Sequence, residues 1–298
     1  MTCSALPRRC LCLLTAALTL PAAGVDYKWG VSLDDNPMFS RSTTLDRPVA
    51  TLTASLFDSE FHERSQSTGY SIENAVDVEI METTPSLSSV SAEVGFTRYW
   101  QPRPGYNTPW YQLALTSGPQ LVANPQRTRL NFNGQLSRHQ RLTDRISVES
   151  GLLGQYSFAP EQVMRQARWG VEGQVGYERR LAGLRGWRGL YLHGQVLSGQ
   201  FGSARSYNPG AVADNEKIQD KGLRDDLEGY WWLYRTTGQA YSLTLNLRYQ
   251  WSSRTAVDLF TQLDRFSGDV ADYGRLSSGL TFSSRLIDRA PGQGRHYR

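Results

Sequence analysis

The stretch YSLTLNLRYQW, residues 241–251, sets Tyr241, Leu243, Leu245, Leu247, Tyr249 and Trp251 on one face and Ser242, Thr244, Asn246, Arg248 and Gln250 on the other. Strict period-two alternation marks a β-strand, because successive side chains leave a strand on opposite sides. Its length also matches the roughly 9 to 11 residues with which a tilted strand crosses the hydrocarbon layer; strands of soluble sheets average about five or six. One apolar and one polar face over that length predicts a membrane-spanning strand whose polar side lines a bore.

The same pattern recurs along the chain. It is clear in AVDLFTQLDRF (256–266), RLSSGLTFSSRL (275–286), ISVESGLLGQY (146–156), RWGVEGQVGYE (168–178), LYLHGQVLSG (190–199) and TRLNFNGQLS (128–137). Earlier come SSVSAEVGFTRYW (88–100), SIENAVDVEIM (71–81), PVATLTASLF (48–57), WYQLALTS (110–117) and DYKWGVSLD (26–34). The fold class is therefore all-β: an antiparallel transmembrane β-barrel of 12 strands, with 10 and 14 as the neighbouring even counts. An even count places both strand termini on the periplasmic side. The outer connections are then 35–47, 82–87, 118–127, 157–167, 200–239 and 267–274, and the inner turns include HQRLTD (139–144), SSR (252–254) and the longer 58–70 and 101–109. GYWWLYRTTG (229–238) is the segment that could add a strand, the other reading being the rim of the long loop 200–239.

Before the first strand, residues 1–24 combine basic Arg8 and Arg9, an apolar run from Leu11 to Leu20 and small residues Ala22, Ala23 and Gly24, which predicts a secretory signal peptide cleaved near Gly24. The barrel then occupies 25–286, and 287–298 form a periplasmic tail. Cys3, Cys10 and Cys12 all leave with the signal, so a disulfide scaffold, a thiolate metal site and a cysteine nucleophile are excluded in the mature chain. The formal charge of +4 falls by the two charges of Arg8 and Arg9, which leaves no nucleic-acid footprint. With 8 Trp, 15 Tyr, 27 Gly and a mean hydropathy of −0.47, the composition suits a wide barrel needing one apolar residue in two better than a soluble core. Tyr99, Trp100, Trp110, Tyr111, Tyr177, Trp187, Tyr249 and Trp251 sit at inner strand ends and are expected to form an aromatic girdle.

The segments YKWGVSLDDNPMFSR, TPWYQLAL and YRTTGQAYSLTLNLRYQWSSRTAVDLFTQLDRF, with the closing YGRLSSGLTFSSRL, resemble uncharacterised proteobacterial outer-membrane barrels. Their arrangement is faintly similar to the barrel portion of surface lipoprotein assembly modifiers. The resemblance implies the barrel fold and an outer-membrane location. The helical-repeat domain that precedes the barrel in those modifiers is expected to be absent, since the first strand directly follows the cleavage site. In the last strand Ser277, Gly279 and Phe282 fit the signal read by barrel-assembly machinery, while Ser284 does not.

Some barrels of this size resemble lipid-acting enzymes, which need a His and a Ser side by side on the lipid-facing rim. His62 and His139 fall in presumed turns and His296 in the tail; His193 lies in a strand but faces the lumen, with no hydroxyl on its strand neighbours. No catalytic set is therefore predicted, and no cofactor. Asp34, Asp35 and Asn36 in SLDDNP could suit calcium, but an Asx-turn needs the same residues and is preferred; no metal site is predicted.

Alternation turns Glu73, Asp77, Glu79, Glu93, Glu149, Glu172, Glu178, Asp258 and Asp264 into the lumen, facing Lys28, Arg129, Arg145, Arg248 and Arg285. Two readings stay open. These charges pair into a network that stiffens a filled barrel, or they line a water-filled conduit whose acidic excess favours cations or neutral polar solutes. The expected function is a non-enzymatic channel for small polar solutes or cations. The alternatives are an accessory barrel that binds an envelope partner in export of a surface molecule and, more distantly, an enzyme acting on outer-leaflet lipid. The expected partners are outer-membrane lipid, barrel-assembly machinery and an envelope protein.

Overall fold

The computed structural model describes residues 26–35, 49–65, 67–179, 185–205, 210, 212–270 and 272–285. The expected signal peptide, the tail, Asn36 and the side chain of Arg285 lie outside the described residues. The strands are β1 (Asp26–Asp34), β2 (Val49–Ser65), β3 (Thr68–Met81), β4 (Ser89–Trp100), β5 (Trp110–Val122), β6 (Arg129–Arg141), β7 (Ile146–Phe158), β8 (Gln166–Glu178), β9 (Gly186–Arg205), β10 (Lys217–Gln219), β11 (Trp232–Gln250), β12 (Thr255–Gly268) and β13 (Asp272–Arg285).

Each long strand pairs antiparallel with its neighbours, and β1 closes onto β13 from Asp26↔Arg285 to Asp34↔Ser277. The result is a closed ring of twelve strands, with the short β10 paired to the upper end of β11. Closure leaves no unpaired sheet edge for lipid to face. No helix among the described residues is long and apolar enough to cross a membrane.

The alternation decides which face is which. Leu243, Leu245, Leu259, Leu263, Leu276, Leu280, Trp29 and Val31 all point outward and are 38–55% exposed, forming a contiguous apolar belt that suits hydrocarbon. Below it, outward rings meet in pairs, with Trp100 stacked on Tyr111 at 5.6 Å and Trp187 edge-on to Tyr249 at 5.2 Å. Part of the expected girdle points the other way: Tyr99 and Trp110 face the lumen, 5.8 Å apart. Adjacent residues of one strand cannot share a face, so Tyr99 and Trp100 had to separate.

Several strands run further than alternation predicts, β2, β9 and β11 the furthest. Asp58 and Glu60 put charge on the outward face of β2, which ends the outward apolar pattern at Leu56, yet pairing with β3 continues to Ser65↔Thr68. The expected turn at 58–70 is thus a tight hairpin. At the other end of the barrel, Trp232–Gly238 pairs with Gly199–Arg205, so GYWWLYRTTG from Trp232 onward is the upper end of β11, and the long connection shrinks from 200–239 to 206–231. Gly199 permits this extension: its φ is +136°, and a Cβ there would sit 2.2 Å from the Ala167 carbonyl oxygen on β8.

The deeply buried apolar residues lie mostly at the mouth of the barrel away from Asp26 and Arg285. Leu87, Ala204, Leu223 and Trp231 form one cluster, and Ala159, Val163, Met164 and Leu233 a second.

Candidate functional site

The described part of the long connection carries a short helix, α1 (Lys221–Leu227), and reaches across the mouth. Asp220 caps α1 by accepting a 3.1 Å hydrogen bond from the Leu223 amide, and Leu223 and Leu227, four residues apart, present one apolar face. That face packs on Leu87 in the β3–β4 connection, on the wall opposite β9 and β11. Ser86 N donates to Asp226 at 2.9 Å, and Gln126 Nε2 donates to the Gln219 carbonyl at 3.2 Å. Asp220 is 0% exposed, yet fully satisfied: Asn124 Nδ2 donates to it at 2.7 Å, and Arg127 donates from Nε at 3.0 Å and Nη2 at 2.6 Å. The connection is a strap tied to the far wall.

Beneath the strap lies a cavity of about 360 Å³. Phe201, Phe266 and Tyr273 form an aromatic shelf on one side, with Phe201–Phe266 centroids 4.9 Å apart and Phe266–Tyr273 4.7 Å. Arg127, Arg129, Arg168 and Arg275 reach the same space. Arg275 is neutralised by Asp34 at 2.6 Å and Asp264 at 4.0 Å. Asp35 accepts the Leu276 amide at 2.7 Å, so Asp34 and Asp35 both serve the β1–β13 seam.

Lower down, the two open readings of the lumen charges divide between the walls. On the β6–β9 wall the carboxylates find side-chain partners: Glu172 meets His193 Nε2 at 3.4 Å and accepts a short hydrogen bond from Gln135, while Glu149 meets His139 Nδ1 at 3.2 Å. Arg248 and Asp258 face each other at 4.0 Å beside a second cavity of about 310 Å³. On the β3–β4 wall, Glu73, Asp77 and Glu93 face the bore without an ion-pair partner among the described residues; Glu73 accepts a 2.8 Å hydrogen bond from Ser71. Glu79 is also inward, higher on β3, near Arg275 and Asp34. Arg129 faces the outer cavity, away from these acids, and Arg145 falls in the exposed β6–β7 turn, outside the lumen.

His139 corrects the expectation of a turn: β6 continues to Arg141, and His139 faces the lumen. The outward charge of Arg138 interrupts the apolar alternation there, which hides the strand; the continued spacing of Ser137 and His139 with Gln135 was the available signal. Ser137 Oγ lies 2.8 Å from His139 Nε2, and His139 Nδ1 is held by Glu149, a serine–imidazole–carboxylate relay of the kind that activates nucleophiles. Yet Ser137 is 2% exposed and Trp110 covers the imidazole at 3.8 Å with an interplanar angle of 4°, so a substrate carbonyl has no approach. His62 lies outward on β2, stacked on Tyr70 at 4.8 Å.

No protein-family model matches the sequence, and no curated protein matches it. Among solved structures, an outer-membrane channel from Pseudomonas putida F1 is similar with a TM-score of 0.51 at 11% identity, over 90% of this chain and 97% of that one. The KdgM porin in complex with disordered oligogalacturonate matches at a TM-score of 0.42 and 12% identity, over 87% and 98%. LpxR from Salmonella typhimurium matches at 0.40 and 12%, over 86% and 99%. The resemblance to barrels of surface lipoprotein assembly modifiers gains no support from these three. What the first likeness shows is the fold: a closed, twelve-stranded, antiparallel barrel of the outer-membrane type.

Proposed function

We propose that this chain is a non-enzymatic outer-membrane channel for small polar solutes or cations, narrowed at its outer mouth by the strap of residues 212–231. The observation that carries the reading is the β3–β4 wall. Glu73, Asp77 and Glu93 face inward with no cation to pair with among the described residues, and an ionised carboxylate at a dry wall costs several kcal/mol. Water along that wall removes the cost, and a hydrated bore supports conduction. The acid wall favours cations as they pass, while the paired β6–β9 wall supplies stiffness. The test is single-channel recording of refolded full-length protein in planar bilayers. Discrete ohmic steps are expected, and a well-folded barrel with none would overturn the channel reading.

A second reading rests on the strap. A barrel that does not conduct would present its tied-down mouth as a surface for an envelope partner, and silent bilayers would favour it.

A further inference from the structure

The outer cavity holds more positive charge than its neighbours neutralise. Arg127 is spoken for by Asp220, and Arg275 by Asp34 and Asp264. Arg129 and Arg168 have no carboxylate partner among the described residues. Arg129 Nε donates to Gln120 Oε1 at 2.8 Å, and Arg168 Nη2 donates to Gln166 Oε1 at 3.1 Å, so each rests on a neutral amide. Arg168 Nε is buried with no hydrogen-bond partner among those residues, although a guanidinium carries five donors in a fixed fork. The two lie on β6 and β8 with their charges near enough to repel, an arrangement that an anion between them would relieve.

A bare inorganic anion would leave the rest of the cavity unused. The Arg168 guanidinium lies 5.2 Å from the Phe201 ring centroid, and Phe201 leads through Phe266 to Tyr273. A volume of about 360 Å³ is at the lower end of ligand sites, which run from roughly 300 to 1,000 Å³. Guanidinium forks match planar carboxylates, and an aromatic shelf matches a ring or other flat apolar face.

We propose that this cavity is a binding site for a small organic carboxylate with a ring face, its carboxylate held by Arg129 and Arg168 and its ring laid on Tyr273, the accessible end of the Phe201–Phe266–Tyr273 row. The site goes beyond the channel reading and does not depend on it, since binding is measured without a current.

The experiment is isothermal titration of the full chain in detergent with benzoate, against acetate and benzyl alcohol. Benzoate is expected to bind saturably, at least tenfold tighter than acetate, which lacks the ring, and than benzyl alcohol, which lacks the charge. R129Q and R168Q are each expected to weaken benzoate at least fivefold, with retained heat-modifiable migration on gels showing that the barrel is intact. Benzoate that fails to bind, that binds no better than benzyl alcohol, or that binds the folded variants as tightly as the parent overturns the proposal. The comparison of the three probes on the parent protein decides it even where a variant fails to fold.

Discussion

Arg127 closes onto the wholly buried carboxylate of Asp220 with two hydrogen bonds to a single oxygen, 3.0 Å from Nε and 2.6 Å from Nη2. The pair joins segments ninety-three residues apart in sequence and holds the strap to the wall opposite its own strands.

Removing one partner of a buried pair leaves the other charged and unpaired, which costs about 3–5 kcal/mol. D220A also strips the cap from α1. The strap is therefore expected to come loose while the barrel stays folded, because the twelve-strand ring does not pass through it. Protease added from the outer side should cut D220A within 212–231 at a rate at least tenfold above the parent, and single-channel conductance should rise. Equal cleavage rates would show that the strap is held by its apolar contacts alone.

The acid wall makes a prediction about ion preference. Replacing Glu73, Asp77 and Glu93 by their amides, in E73Q/D77N/E93Q, removes three fixed negative charges at nearly constant volume. The reversal potential across a KCl gradient is expected to move toward chloride with little change in open conductance. An unmoved reversal potential would mean that ions do not pass along this wall.

The two faces of one strand should respond oppositely to charge. Leu245 is 47% exposed on the apolar belt, and Thr244, next to it, faces the lumen beside the second cavity. Arginine on the lipid face near the bilayer midplane costs about 2–4 kcal/mol. L245R is expected to lose about that much in denaturant unfolding from phospholipid vesicles, whereas T244R should lose less than about 1 kcal/mol because its charge is hydrated. Equal losses would contradict the assignment of faces.

The twelve strands and their facing were legible in the sequence because a barrel repeats one local rule: lipid outside demands apolar residues at every second position, whatever the partner strand. From Ser242 to Gln250 the rule places every polar residue without reference to the rest of the chain. It failed where an outward residue was charged, at Asp58 and at Arg138, since beyond the hydrocarbon the demand lapses while the hydrogen-bond ladder continues. His139 was lost for that reason, and with it the Ser137–His139–Glu149 relay.

Alternation states which way a side chain points and is silent about what it meets. That Glu149 and Glu172 find imidazoles while Glu73, Asp77 and Glu93 find no cation among the described residues depends on register between strands. That the connection after β9 reaches the loops beside β4 and β6 depends on ring closure, which brings strands far apart in sequence to opposite sides of one mouth. The sequence by itself determined the alternating strands and the polar bore they enclose, because alternation is a local property. The tertiary structure decided the strap, the arginines beneath it and the division of the lumen into a paired and an unpaired wall, because each is a meeting of residues that only the closed ring brings together.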